Sequence, residues 1–319
     1  MESTQNLQRR MKSVGNIGQI TKAMELVAAT KMRRSQELAL GSRPYAYTAL
    51  EIMGVISRLS NGNGSGNGET PPPELLTERP VAHTALMVVT SDKGLAGSFN
   101  ASVLRRFEQY VRDNAIDLSD PKYVFIAVGQ KAKSYLEHRA HAVSRSFVRV
   151  GDFTRMAEID PISEYLIDGY LGRGFDEVIS FATHFVTALR QEVFVRQLLP
   201  ISAEKIKESA EMLIPASGRY SQYIDIESFD GEEDVEYLIE PSPREVLEGL
   251  SRELLKIRVY HNILEANASE HSARRVAMKN ASDNASDLSQ NLSREYNKSR
   301  QAAITNQIIE VTSGAQSMQ

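Results

Sequence analysis

An α/β body inserted between two long terminal helices is the architecture this sequence predicts. Three observations carry it. From Leu250 to Ser313 neither proline nor glycine occurs, a run of about 64 residues that would extend roughly 95 Å as a helix. Residues 1–60 carry a second helical pattern. Between them, residues 81–200 alternate short runs rich in Val, Ile and Phe with helical segments, which is how a largely parallel sheet covered by helices reads. A helix as long as the C-terminal one is unstable alone and requires a long partner, and the opposite end of the chain offers one. The expected shape is a shaft carrying a folded head.

Residues 1–60 form the first element. Leu7, Met11, Val14, Ile17, Ile20, Met24 and Val27, and later Leu50, Met53 and Ile56, recur at spacings of three and four, as in a two-helix seam. Gly15 and Gly18 lie inside this run. They admit two readings, close approach of another backbone or a local kink. Gly41 and Pro44 mark an expected irregularity. Residues 61–80 open with NGNGSGNGETPPP, the composition of a flexible linker ending in a stiff proline stretch.

In the body, residues 81–200, Thr84–Thr90 and Tyr123–Val128 read as buried strands. Phe99–Asn114 and Gln130–Ala140 read as helices. Asp160 followed by Pro161 predicts a helix start, with Asp as N-cap and Pro at the first helical position. Val178–Val186 and Glu192–Leu199 predict two strands joined closely enough for a hairpin. Residues 201–241 form an acidic variable segment, with eleven acids against three bases in 202–240, and read as solvated loop or short helices. Ser242 with Glu245 makes a capping box, and Pro243 takes the first helical position, so the last element is a helix over 242–319.

Composition excludes several function classes. The formal net charge is −4, which gives no bulk attraction for nucleic acid. Cysteine is absent, so neither a disulfide framework nor a thiolate metal site is available. The longest apolar runs are too short to span a bilayer, and the first residues do not read as a signal or transit peptide. The turn VVTSDKGLAGSFNASV at Val88–Val103 superficially resembles a phosphate loop. However, Gly94 and Gly97 do not give GxGxxG, and no Gly-Lys-Ser/Thr follows. Asp92 and Lys93 are candidate polar contacts there. His138 and His141, beside Glu137, lack a third ligand and read as surface residues.

The terminal helices are more informative. Residues 1–40 hold seven bases, among them Arg9, Arg10, Lys31, Arg33 and Arg34, against three acids. Such a face is either simply solvated or docks against an acidic partner. The stretch Lys279–Gln307 carries only a thin line of apolar residues: Ala281, Ala285, Leu288, Leu292 and Tyr296. That suffices for one narrow seam, and the remaining small and polar surface could not grip a partner strongly by apolar burial.

Four segments carry a resemblance: Asn16–Lys31 (NIGQITKAMELVAATK), Ser91–Asn100 (SDKGLAGSFN), Ala268–Asn280 (ASEHSARRVAMKN) and Tyr296–Ala315 (YNKSRQAAITNQIIEVTSGA). Together, and in this order, they resemble the gamma subunit of F-type ATP synthase. The resemblance implies a Rossmann-like α/β domain between terminal helices wound as an antiparallel left-handed coiled coil. It implies a rotor in the central stalk, one copy per complex. Its partners would be three alpha and three beta subunits, the epsilon subunit and the ring of c subunits, with membrane contact through that ring alone. It implies a non-catalytic subunit that binds no cofactor, ATP, ADP and Mg being held by alpha and beta. The location implied is a peripheral membrane complex on the cytoplasmic face of the cell membrane. Arg300, Gln301 and Thr305 match the family's RQxxIT catch toward alpha or beta, and Lys22 and Met24 in ITKAM match its contact with the beta lever loop. Gln307 stands where the family often has glutamate, and Ala96 where it often has cysteine. The other reading of the chain is a nucleotide- or nucleic-acid-binding coiled-coil protein with the α/β domain as ligand site.

Overall fold

A computed structural model describes residues 3–61, 73–139, 143–151, 154–187, 190–201 and 240–316. Most of the acidic segment, most of the linker, and His141 lie outside the described residues. The chain divides into two compact units, one made of Met1–Thr30, Leu95–Gly97 and His271–Gln319, the other of Lys31–Gly94 and Ser98–Glu270.

The second unit contains a five-stranded sheet in the order β3-β2-β1-β4-β5. Its strands are β1 (Thr84–Val89), β2 (Tyr123–Val128), β3 (Val143–Phe147), β4 (Glu177–Phe185) and β5 (Gln191–Leu199). The first four are mutually parallel and β5 is antiparallel to β4. The expected α/β body and closing hairpin are therefore present. Its helices are α2 (Phe99–Asp113), α3 (Gln130–Arg139) and α4 (Met156–Leu171), with the first part of α5 (Pro243–Gln316).

The strands alternate, and one face holds Leu86, Val88, Phe125, Ala127, Ile179 and Phe181. Val103 and Phe107 of α2 and Ala132 and Leu136 of α3 pack on them. Phe107 meets Phe181 edge-to-face at 5.2 Å between ring centroids, the arrangement favoured by the ring quadrupoles. Ser180, out of phase by one residue, faces the opposite side and accepts a hydrogen bond from Asn262 of α5. Along that side of the body α5 buries Leu254, Leu255, Ile263 and Leu264.

Ahead of β1, Asp176 gathers the chain. Its Oδ2 accepts from the backbone N–H groups of Ala82 and His83, both at 2.9 Å, and its Oδ1 lies 2.7 Å from Arg79 Nε. Arg79 also donates to the carbonyls of Tyr170 and Phe175 and lies over the Tyr170 ring at 4.2 Å.

Two expectations require correction, and one strand was not foreseen. Helix α4 starts at Met156, five residues before Pro161. Its first turn is closed instead by Glu158, whose carboxylate accepts from the Arg155 N–H, and Pro161 sits inside the helix. Strand β3, an edge strand of sequence VSRSF with no buried residue, carries no apolar run to mark it. Helix α1 (Thr4–Asn61) runs unbroken through Gly41 and Pro44; proline removes a single ladder bond, and one lost bond does not end a helix of this length. The start of α5 is as expected, with Ser242 Oγ accepting from the Glu245 N–H at 3.3 Å.

Candidate partner-contact site and the cleft at the strand ends

In the first unit, α1 contributes a regular seam. Leu7 is buried, Met11, Val14 and Gly18 are half-buried, and Thr21, Glu25 and Ala28 are buried. Their spacings alternate strictly between four and three, the heptad pattern of two packed helices. This departs from the expected line. From Ile17 onward the apolar residues leave the seam, and Ile17, Ile20 and Val27 are each at least half exposed. Two successive steps of three, Val14 to Ile17 to Ile20, move them out of phase. The seam positions they would have filled are taken by small or polar residues because the partner comes close. A Cβ on Gly18 would stand 3.4 Å from the Ala285 Cβ, whereas one on Gly15 would meet nothing within 4 Å. Gly18 thus fits the close-approach reading, and the helix is not interrupted at either glycine.

The C-terminal part of α5 answers with Met278, Ala285 and Leu292 buried and Ser282, Ser289 and Tyr296 half-buried. Leu288, expected in this seam, is 44% exposed, and Ser289 occupies the inner position. Beside the seam runs an open groove lined by Gly15, Gly18, Lys22 and Ala23 on α1 and by Ala285 and Ser289 on α5.

The residues singled out from the sequence lie as follows. Lys22 is exposed and donates to Glu25 at 2.9 Å, and Met24 is half-buried. Arg9 and Arg10 are exposed near the start of α1. Lys31, Arg33 and Arg34 belong to the second unit, where both arginines pair with Glu37, at 3.2 and 3.5 Å. Arg300 and Gln301 are exposed on α5, and Thr305, one turn on, donates to the Gln301 carbonyl at 3.0 Å. The catch residues thus share a short stretch of helix that also holds exposed Ile304 and is followed by exposed Ile308, Ile309 and Val311. Sequence reading assigned Ile17, Ile20 and Val27 to the seam and so missed them as outward-facing apolar groups. The break in the 3–4 alternation is the signal that marks them.

The second unit carries a cleft of about 340 Å³ at the C-terminal ends of β1 and β2, lined among others by Asp92, Lys93, Arg149, Asn267 and Glu270. Doubly wound sheets bind nucleotides in this position, presenting helix N–H groups to phosphate. Here those groups are already used. The N–H of Gln130 donates to Asp92 Oδ1, that of Lys131 to the Ser91 carbonyl and that of Ala132 to Thr90 Oγ1. Gly129, at φ +90°, lies so close to Thr90 that a Cβ would fall 2.1 Å from its carbonyl oxygen. On β1's own turn, the Ser91 N–H is taken by Asn100 Oδ1. The cleft is lined by two acids and two bases, so it presents no net charge to an anion. The start of α3 is a closed cap, and the geometry gives no support to a nucleotide site.

Comparison with known proteins agrees with the arrangement of the helices. A family model described as ATP synthase matches residues 3–318. The ATP synthase gamma chain of Roseiflexus sp. (strain RS-1) is 38% identical over 99% of this chain and 98% of its own length. That of Desulforamulus reducens is 36% identical over the full length of both. Among solved structures, a chain of the Euglena gracilis mitochondrial ATP synthase has a TM-score of 0.60 at 16% identity, covering 99% of this chain and 94% of that one. A chain of the Tetrahymena thermophila mitochondrial ATP synthase central stalk and c-ring has a TM-score of 0.55 at 24% identity, covering 82% and 99%. These two share the fold. The full-length match to the family and to its curated gamma chains settles the assignment: this chain belongs to the ATP synthase gamma-chain family.

Proposed function

We propose that this chain is the rotor of the central stalk of an F-type ATP synthase. It carries torque between an ion-driven c-ring and the catalytic beta subunits, and it catalyses no step itself. The observation that carries this reading is the outward turn of Ile17, Ile20 and Val27, beside a stretch of seam made of Gly18, Thr21, Glu25 and Ala28, and of Ile304, Ile308 and Ile309, all six isoleucines and valines at least 46% exposed. Large apolar groups held out of a seam require a surrounding surface. Three alpha and three beta subunits supply it, and the epsilon subunit and c-ring bind the body. The complex is peripheral to the cell membrane on its cytoplasmic face. Among the described residues no helix is long and apolar enough to cross a membrane; in this reading the c-ring provides the attachment.

In this mechanism Arg300, Gln301 and Thr305 engage alpha or beta at the catch. Lys22 and Met24 meet the beta lever loop. Arg9, Arg10, Lys31, Arg33 and Arg34 offer positive charge to acidic partner surfaces. Each rotor orientation must favour one beta conformation over another by several kcal/mol to shift populations decisively. The acidic segment 202–240 restrains ATP hydrolysis or tunes contact with epsilon; unchanged ATPase latency after deletion of residues 228–234 would refute that role. The division into shaft helices at 1–60 and 242–319, linker at 61–80, body at 81–200 and acidic segment at 201–241 is part of the same proposal. The central test is gentle purification of the tagged chain from its native membranes. A complex with three alpha and three beta subunits per copy, hydrolysing ATP, supports the rotor; the chain alone, binding ATP or DNA, overturns it.

A further inference from the structure

Within the body, α5 meets the β4–β5 hairpin through three polar side chains. Arg258, Asn262 and Glu265 are spaced four and three apart and so share one helical face. Arg258 donates to the carbonyls of Gln197 (2.8 Å) and Leu198 (3.1 Å) on β5. Asn262 Nδ2 donates to Ser180 Oγ on β4 at 2.9 Å. Glu265 Oε2 accepts from His184 Nδ1 on β4 at 2.8 Å and lies 3.5 Å from Arg196 Nη1 on β5. Asn262, Glu265 and Ser180 are buried.

This is a costly way to fasten a helix to a sheet. A buried carboxylate loses several kcal/mol of hydration that apolar packing would never incur. Burial pushes the Glu265 carboxyl up, yet the His184 bond, Arg196 and His261 outweigh it and hold the group below its ordinary value, as the charged form. Apolar contacts are non-directional, so a purely apolar seam resists sliding or rolling only through side-chain interlock. Directional bonds from three side chains at successive turns, reaching two strands, fix the helix against both motions.

We propose that Arg258, Asn262 and Glu265 form a keyed joint through which torque passes between the body and α5. These are positioning residues, and the inference rests on the rotor reading above. The test uses the whole complex in membrane vesicles and compares wild type with Arg258→Met/Asn262→Leu/Glu265→Leu. The variant removes one side of each pair, which is destabilising, so assembly is confirmed before pumping is measured. Each charge-assisted bond removed should raise the rate of slip about ten-fold or more.

The expected result is ATP hydrolysis near the wild-type rate with fewer ions pumped per ATP, the deficit growing as the opposing ion gradient is raised. Equal pumping per ATP at every gradient overturns the joint. If the triple variant does not assemble, Glu265→Gln, which keeps the shape and removes the charge, decides by the same readout. Wild-type vesicles that hydrolyse ATP without pumping would instead count against the rotor reading.

Discussion

Replacing Asp176 by alanine tests how the body is held together ahead of β1. The change removes the acceptor for two backbone N–H groups, of Ala82 and His83, and the counter-ion of Arg79. Hydrogen bonds to a charged group contribute about 1.5–3 kcal/mol each, so the two N–H groups account for roughly 3–6 kcal/mol. Arg79 adds little, because it keeps the carbonyls of Tyr170 and Phe175 and its charge is not stranded. A loss of about 4 kcal/mol is expected from the two bonds together. With a urea dependence of about 2 kcal/mol per molar, the midpoint falls by about 2 M. Asp176→Asn, which retains an acceptor oxygen, loses about half as much. Tyrosine fluorescence reads the transition, since the chain has 12 tyrosines and no tryptophan and Tyr170 lies within the affected cluster. Acid adds a second check. Burial pushes the Asp176 carboxyl up, but the N–H groups of His83 and Ala82 and the Arg79 charge outweigh it, and its pKa lies below the ordinary value. A group depressed in the folded state contributes in full above its unfolded pKa, about 3.9, and the contribution disappears as pH falls through the lower folded value. The wild-type and Asp176→Ala midpoints should therefore converge on acidification. A midpoint within about 0.3 M of wild type at neutral pH would refute the reasoning.

Other substitutions separate causes in the same assay. Gly129→Ala, whose Cβ would fall 2.1 Å from the Thr90 carbonyl oxygen at φ +90°, should cost about 3 kcal/mol or more; Gly94→Ala, in open space, should stay within about 0.5 kcal/mol. Phe107→Ala empties the aromatic centre of the body and should cost about 3–5 kcal/mol. In the seam, Gly15→Ala should raise the melting temperature through about 1 kcal/mol of helix propensity. Gly18→Leu should lower it by about 1–3 kcal/mol of overpacking against Ala285; equal effects at the two glycines would refute the close approach. Ser242→Ala, which deletes the cap of α5, should cost about 1 kcal/mol, seen as faster amide exchange in its first turn.

The sequence exposed what is periodic and local. The body strands β1, β2 and β4 announced themselves because burial on both faces demands continuous apolar residues, and β5, an edge strand of intermediate burial, through its Val193-Phe194-Val195 run. The start of α5 did so because the Ser242 cap is written in adjacent residues. Edge strand β3 gave no such signal, since none of its residues is buried. The Asp160-Pro161 pair misled because proline one turn inside a helix looks locally like proline at its start. In the shaft, hydrophobicity alone suggested that Ile17, Ile20 and Val27 line the seam; strict 3–4 spacing, which picks Gly18, Thr21, Glu25 and Ala28 instead, was the better guide. Asp176 and Glu265 could not be found this way. Their partners lie tens of residues away, at Arg79 and at His184 and Arg196, and nothing near them in the chain marks the pairing.

The unit formed by the two chain ends also dictates an order of assembly during synthesis. Residues 4–30 leave the ribosome long before the stretch of α5 they pack with, which begins at His271, about 240 residues later. At roughly 5–20 residues per second the early helix waits about 10–50 s for its mate. Throughout that interval Leu7, Ala28 and the isoleucines beside them stand unsheltered, and a lone helix of this kind is marginal in water. The nascent chain is therefore a natural client for chaperones once this helix has emerged, while the sheet between can close on its own schedule.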